Sequence, residues 1–226
     1  MRPVNRGAVP REYARYQDAI EDLEERLGCY CSYCERRLPT SLAVEHVSPK
    51  SVDPASERSW DNFLLGCTNC NSVKSNKPTS EDDFLWPDRD NTARAFCYGK
   101  GGFVKLSPEL GPGLTSKASQ LMDIVGLNRH AASGWPLPAQ RDKRWKQREE
   151  VWSTAERARA DLETLGPGAR DLVVDVAAGY GFFSVWLAVF QGDPETVREI
   201  VNRMPGTATN CFDGNMRPIR RPGGRL

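Results

Sequence analysis

Two Cys-x2-Cys pairs, Cys31/Cys34 and Cys67/Cys70, bracket a Glu45-His46 step that carries one of the chain's two histidines. A Cys-x2-Cys turn presents two thiolates to one ion, and two such turns complete the tetrahedral four-sulfur shell of zinc. That shell is closed. It leaves no position for a substrate, so it holds a fold together and leaves the chemistry to other residues. The second pair starts 33 residues after Cys34. Cys29 is a spare that could stand in for Cys31, although the spacing favours Cys31. The competing reading is two unrelated redox or buried Cys-x2-Cys turns. His46 has a side chain that gains or loses a proton near neutral pH, and a carboxylate stands next to it in sequence.

Residues 42–47 read as a short strand. Alternation puts Glu45 and His46 on opposite faces, so for both to serve one site the strand must end or bend there. Ser48-Pro49 supplies the break. Residues 50–59 are polar and loop-like, and Trp60 anchors a second short strand over 60–65. From Cys67 a helix carries Cys70, Asn71 and Lys74. Cys67, Cys70 and Asn71 stand at i, i+3 and i+4 and share one face, so the zinc corner and Asn71 lie on one surface near the His46 strand. Upstream, Tyr13, Tyr16, Ile20, Leu23 and Leu27 recur at helical spacing. They predict a helix over 11–27, started after Pro10 and ended at Gly28. It reads as a support helix, with a partner-binding arm as the alternative.

The combined pattern C-x2-C, E-H-x2-P, N-x-L-L-x-C-x2-C-N-x2-K, over roughly residues 29–78, resembles the HNH endonucleases with their ββα-metal fold. The resemblance implies an α+β protein: a small ββα-metal module with a four-cysteine zinc, embedded in a mostly α-helical chain. Residues 1–28 would be a support helix, 29–79 the nuclease module, and 80–226 a mostly helical region with a basic tail. It further implies that His46 is the general base that takes a proton from the attacking water. Glu45 would be a ligand for Mg²⁺ or Mn²⁺, where many members have Asp. Asn71 would be the second metal-side residue. Asn62 would pin the loop between the strands and so orient His46. Lys50 and Lys74 would meet phosphate.

These residue types suit that chemistry. A histidine accepts a proton at working pH. Carboxylate and amide oxygens suit a hard divalent ion. Such an ion stabilises charge building up on a phosphodiester in its transition state. The resemblance implies metal-dependent hydrolysis of DNA, leaving 5′-phosphate and 3′-hydroxyl ends.

Composition narrows the remaining options. Lys and Arg number 31 against 30 Asp and Glu, so nucleic-acid binding must come from local patches. No apolar run reaches the roughly 20 residues that span a bilayer, and residues 1–6 lack the apolar core of a signal peptide. The expected location is the cytoplasm, without membrane association. Seven cysteines, an odd number, argue against a disulfide framework.

Beyond Lys77 the chain changes character. Residues 81–83 are acidic and read as a solvated helix start or loop. A glycine-rich stretch at 96–114 suggests a loop with one hairpin around 96–106, and 116–127 suits a helix. The longest helical candidate spans 140–164. Its basic start, Gln140 to Arg148 around Trp145, offers DNA-backbone contacts. The alternative is a charged helix that packs inward through Trp145, Val151 or Trp152, and Leu162. Val173 to Gly181 resembles the glycine-rich loop of S-adenosylmethionine methyltransferases, but only 45 residues follow Gly181. That is too few for a doubly wound sheet, so the stretch reads as an apolar helical hairpin broken at 179–181. Asp193 caps a further helix from Pro194 to Met204. The basic tail, 217–225, reads as flexible.

The layout as a whole, with stretches such as Pro205-Gly206-Thr207 and Cys211-Phe212-Asp213, also resembles, more loosely, the nuclease subunit of Septu-type anti-phage systems, which implies a separate ATPase partner. A non-catalytic zinc module that binds nucleic acid or a partner ATPase is the alternative.

Overall fold

A computed structural model describes residues 1–80, 82–134 and 141–226. Glu81 of the acidic run and Gln140 of the basic one lie outside them. Short 3-10 turns at Tyr16–Ala19, Pro54–Ser56 and Trp60–Asn62 punctuate the first third. The regular elements there are α1 (Ile20–Leu27), β1 (Leu42–His46), β2 (Phe63–Cys67) and α2 (Thr68–Lys74). A second hairpin follows, β3 (Phe96–Gly99) and β4 (Phe103–Leu106). Then come α3 (Pro112–Ile124), α4 (Arg144–Leu165), α5 (Arg170–Tyr180), α6 (Phe183–Val189) and α7 (Pro194–Arg203). The protein is α+β, with two small antiparallel sheets set among helices.

β1 pairs with β2 in a register that sets Glu45 opposite Leu64 and His46 opposite Phe63. Cys67 ends β2 and caps α2, its sulfur accepting the Cys70 N–H. One residue thus closes the strand, starts the helix and contributes a thiolate. The first helix is shorter than its periodicity predicts. Residues 11–15 stay out of it and Arg15 is extended, because Tyr13 is needed elsewhere. Its buried ring stacks on Trp60 and meets Phe63 edge-on, while its hydroxyl donates to Asp22. α3 starts at Pro112, a residue preorganised for a first turn, several positions before the predicted start.

The helical region is bonded to the cysteine turn. Glu35, held at φ +65°, accepts the Phe182 N–H on its carbonyl. Its carboxylate accepts the Ser184 hydroxyl and N–H at the start of α6. Gly181 lies against this corner so closely that a Cβ there would stand 2.6 Å from the Glu35 oxygen. Gly181 thus serves close packing of the α5–α6 turn against the Glu35–Arg37 corner. The helical hairpin read from the sequence is present, and so is the Asp193 cap, which accepts the Thr196 N–H.

The basic tail is a correction. It is a docked segment: Leu226 is buried, its carbonyl accepts the Asn91 and Arg221 N–H groups, and the Arg225 N–H donates to Asp90. Asn91 also donates to the carbonyls of Cys211 and Ile219. A tail without a hydrophobic pattern is therefore fixed by main-chain hydrogen bonds, which sequence periodicity does not register.

Candidate active site and metal centre

The four cysteines of the two pairs converge. Their sulfurs all lie within 4.8 Å of one another, Cys34 and Cys67 at 3.6 Å, and all four are buried. Zinc with Zn–S bonds of about 2.3 Å needs sulfurs about 3.8 Å apart, so the donor set fits a structural zinc. Cys29 is outside the cluster. The surroundings favour thiolates. The Cys67 N–H points at Cys31 and the Cys70 N–H at Cys67. Arg144, 1 % exposed, places Nη1 3.0 Å from the Cys70 sulfur. Burial opposes the charge of Arg144, yet the Cys70 thiolate and Asp142 hold its pKa above the ordinary value. Hydrogen bonding from Cys31 pulls Cys34 and Cys67 down, whereas burial pushes Cys31 and Cys70 up. Four buried thiols in such conflict are relieved by a cation that takes all four as thiolates.

Arg144 and Arg148 are buried and so leave the candidate DNA contacts of the basic run to its exposed members, Arg141, Lys143 and Lys146. Arg148 donates to the carbonyls of Gly102 and Leu127. The helix does pack inward, through these arginines with Val151, Ala155 and Leu162, while Trp145 is half-buried beside His130. Periodicity arguments count apolar residues and so miss a face whose anchors are guanidinium groups.

His46 ends β1, 9 % exposed, with its ring edge-on to Tyr16 and Phe63. Its Nε2 lies 2.9 Å from the Glu57 carbonyl. A carbonyl only accepts, so Nε2 carries the proton and Nδ1 keeps its lone pair. Burial lowers the His46 pKa, and Lys50 and Lys74 lower it further, against the opposing pull of Glu57. A neutral imidazole with its lone pair on Nδ1 is the form that accepts a proton. Asn62 ties down the chain beyond it. Its Oδ1 accepts the Ser48 N–H at 2.7 Å, and its Nδ2 donates to the Ser48 and Ser56 carbonyls and the Ser56 hydroxyl. Lys50 lies at the surface above the Tyr16 ring, 3.4 Å from Glu57.

Glu45 turns away from His46. β1 stays regular through His46, so the bend that would bring both side chains to one face is absent there, and the Ser48-Pro49 break comes after it. The Glu45 carboxylate, 3 % exposed, lies 2.9 Å from Lys74 Nζ, and Lys74 also donates to the His46 carbonyl at 2.6 Å. Burial raises the Glu45 pKa and Lys74 opposes that rise. Lys74 is only 1 % exposed. The expectation that it meets phosphate is corrected for this conformation, because its ammonium is turned inward by the carboxylate. Asn71, half-buried, stands three residues before Lys74 on α2, so the helix side that reaches Glu45 also carries it. A carboxylate and an amide oxygen are the hard donors that Mg²⁺ or Mn²⁺ takes. By donor chemistry the pair fits such an ion, with Lys74 already at the carboxylate.

Residues 31–77 match the family described as HNH endonuclease. The match spans both cysteine pairs, the β1–β2 hairpin and α2, which together make a ββα-metal module with a four-cysteine cluster. No curated protein matches the chain. Among the described residues, no helix is long and apolar enough to cross a membrane.

Proposed function

We propose that the protein is a metal-dependent endonuclease that hydrolyses DNA phosphodiester bonds, with His46 as general base. The observation that carries this reading is the tautomer set at His46. The Glu57 carbonyl holds Nε2–H and leaves Nδ1 to take a proton from water, inside the segment that matches the HNH endonucleases. Asn62 holds the loop after β1 and so fixes where the imidazole sits. Lys50, on the rim beside Tyr16, supplies a cation to the phosphate backbone. Glu45 and Asn71 would hold Mg²⁺ or Mn²⁺, which when bound polarises the phosphate and stabilises the departing 3′ oxygen. The zinc of Cys31, Cys34, Cys67 and Cys70 keeps the hairpin and helix together.

The test is plasmid nicking with Mg²⁺ or Mn²⁺ by the wild type beside His46→Ala. Nicking by the wild type alone supports the reading. Equal nicking by both proteins, or none by either, sinks it.

The same reading extends to a role as the nuclease effector of a bacterial anti-phage system, acting in the cytoplasm beside a separate ATPase. That extension rests on the resemblance of the layout to Septu-type nuclease subunits. Co-purification with the product of an adjacent ATPase gene tests it. The burial of Glu45 against Lys74 favours one other reading, a non-catalytic zinc module that binds nucleic acid or a partner ATPase. Plasmid retention without nicking, equal in wild type and His46→Ala, would support that module.

A further inference from the structure

Lys74 occupies the place of a cation at the carboxylate that the proposed reaction assigns to a metal. Its Nζ stands 2.9 Å from Glu45 Oε1 and 2.6 Å from the His46 carbonyl oxygen, and both side chains are almost fully enclosed. The wall beside the carboxylate is bare backbone. A Cβ on Gly66 would come within 2.9 Å of Glu45 Cβ and 3.5 Å of Oε2, so Gly66 leaves the room in which Glu45 lies against β2. A divalent ion binds a carboxylate oxygen at about 2.0–2.6 Å. It would then stand next to an ammonium, and two cations that close in a poorly hydrated site repel strongly. Lys74 is the last residue of α2, and Ser75 after it takes φ +51°. Its side chain leaves from the final turn, where helices fray most readily.

We infer that Lys74 is a tethered counter-cation that competes with the divalent ion for Glu45, so that loading the ion and releasing Lys74 are one event. The inference rests on Glu45 being a ligand of that ion. Released, the Lys74 ammonium stands on the Asn71 side of α2 and can reach a phosphate oxygen. Without the ion it neutralises a carboxylate that would otherwise be buried alone. The sequence expectation for Lys74 and its burial in the structure then describe two states of one residue.

The experiment titrates Mn²⁺, without DNA, into the zinc-loaded full chain and reads binding by electron paramagnetic resonance. Lys74→Met removes the competing charge, and its Mn²⁺ affinity is expected to rise about tenfold, a usual size for coupled binding equilibria. Lys74→Arg keeps the charge and is expected to bind as the wild type does. Glu45→Gln is expected to lose the site. An unchanged or weaker affinity in Lys74→Met overturns the inference, as does the absence of Mn²⁺ binding in every protein. If Glu45→Gln binds as well as the wild type, the assignment of Glu45 as ligand fails instead, and separately. Because Lys74→Met leaves a buried carboxylate unpaired, a second readout uses the wild type alone. Labelling with an amine-reactive succinimide ester, followed by peptide mass spectrometry, is expected to show Lys74 protected without Mn²⁺ and modified with it. Equal protection in both states overturns the inference even if Lys74→Met fails to fold.

Discussion

Arg144 Nη1 lies 3.0 Å from Cys70 Sγ, so a residue 74 positions downstream supplies positive charge to the cysteine cluster. The same guanidinium binds the Val125 and Gly126 carbonyls and the buried Asp142. Removing one partner of a buried charge pair typically costs about 3–5 kcal/mol. Arg144→Met is therefore expected to lower stability by several kcal/mol and to speed the loss of zinc to a chelator. Denaturant titration and chelator-monitored zinc release check the two effects. Arg144→Met/Asp142→Asn, which removes the orphaned charge, is expected to recover part of the stability but not the zinc retention.

The cluster itself makes a sharper claim. Because β2 ends and α2 begins at Cys67, loss of the ion releases a strand end and a helix start together. The protein is expected to contain one zinc per chain by elemental analysis. Cys34→Ser is expected to lose it, along with the thermal transition of the hairpin and α2. Metal-coupled folding of this kind is usual when thiolates hold a small fold. A Cys29→Ser variant, altered outside the cluster, is expected to keep its zinc.

The elements that the sequence made legible are those fixed by local chemistry. Cysteine spacing gave the metal cluster, the Ser48-Pro49 break marked the end of β1, and glycines at the turn marked the β3–β4 hairpin. The features that escaped depend on contacts distant in sequence. Nothing local to Arg144 shows that its partner is Cys70, and nothing local to Glu35 shows that it caps α6 through Ser184. Lys74 looked like a surface cation because lysines usually are. Its inward turn follows from Glu45, 29 positions earlier, lying across the hairpin from it. The tail reversed the expectation for the same reason, since its anchors are the Asp90 carboxylate and the N–H and side-chain amide of Asn91.

The pH dependence follows from His46. Its pKa in the folded chain lies below the ordinary histidine value, chiefly through burial. The neutral form therefore persists to lower pH than in a free imidazole, and with His46 as the proposed base the acid limb of kcat/KM is expected below about 6.5. Stability moves with the same sign. Between the folded pKa and the unfolded value the unfolded chain binds more protons, so stability rises with pH through that window and falls as the solution is acidified. A pH–rate profile locates the limb. Denaturation of His46→Gln, in which this contribution is absent, checks the stability component.

Asn62 separates positioning from folding. Its side chain makes four hydrogen bonds, two to Ser48 and two to Ser56, and it is buried. The Ser48 N–H lies two residues past His46, and the Val47 N–H is bound by the Asn62 main-chain carbonyl, which substitution leaves in place. Asn62→Ala thus strips the side-chain ties from Ser48 and Ser56 while keeping the backbone one. It is expected to cost about 1–3 kcal/mol in denaturant unfolding, the range for leaving buried polar groups unpaired. If Asn62 also fixes the imidazole, kcat falls at least about tenfold while KM changes little, since the loss falls on the transition state and not on substrate binding. An unchanged kcat in a destabilised but folded Asn62→Ala protein would assign this side chain to loop stability alone, and His46 would then owe its orientation to Glu57, Tyr16 and Phe63.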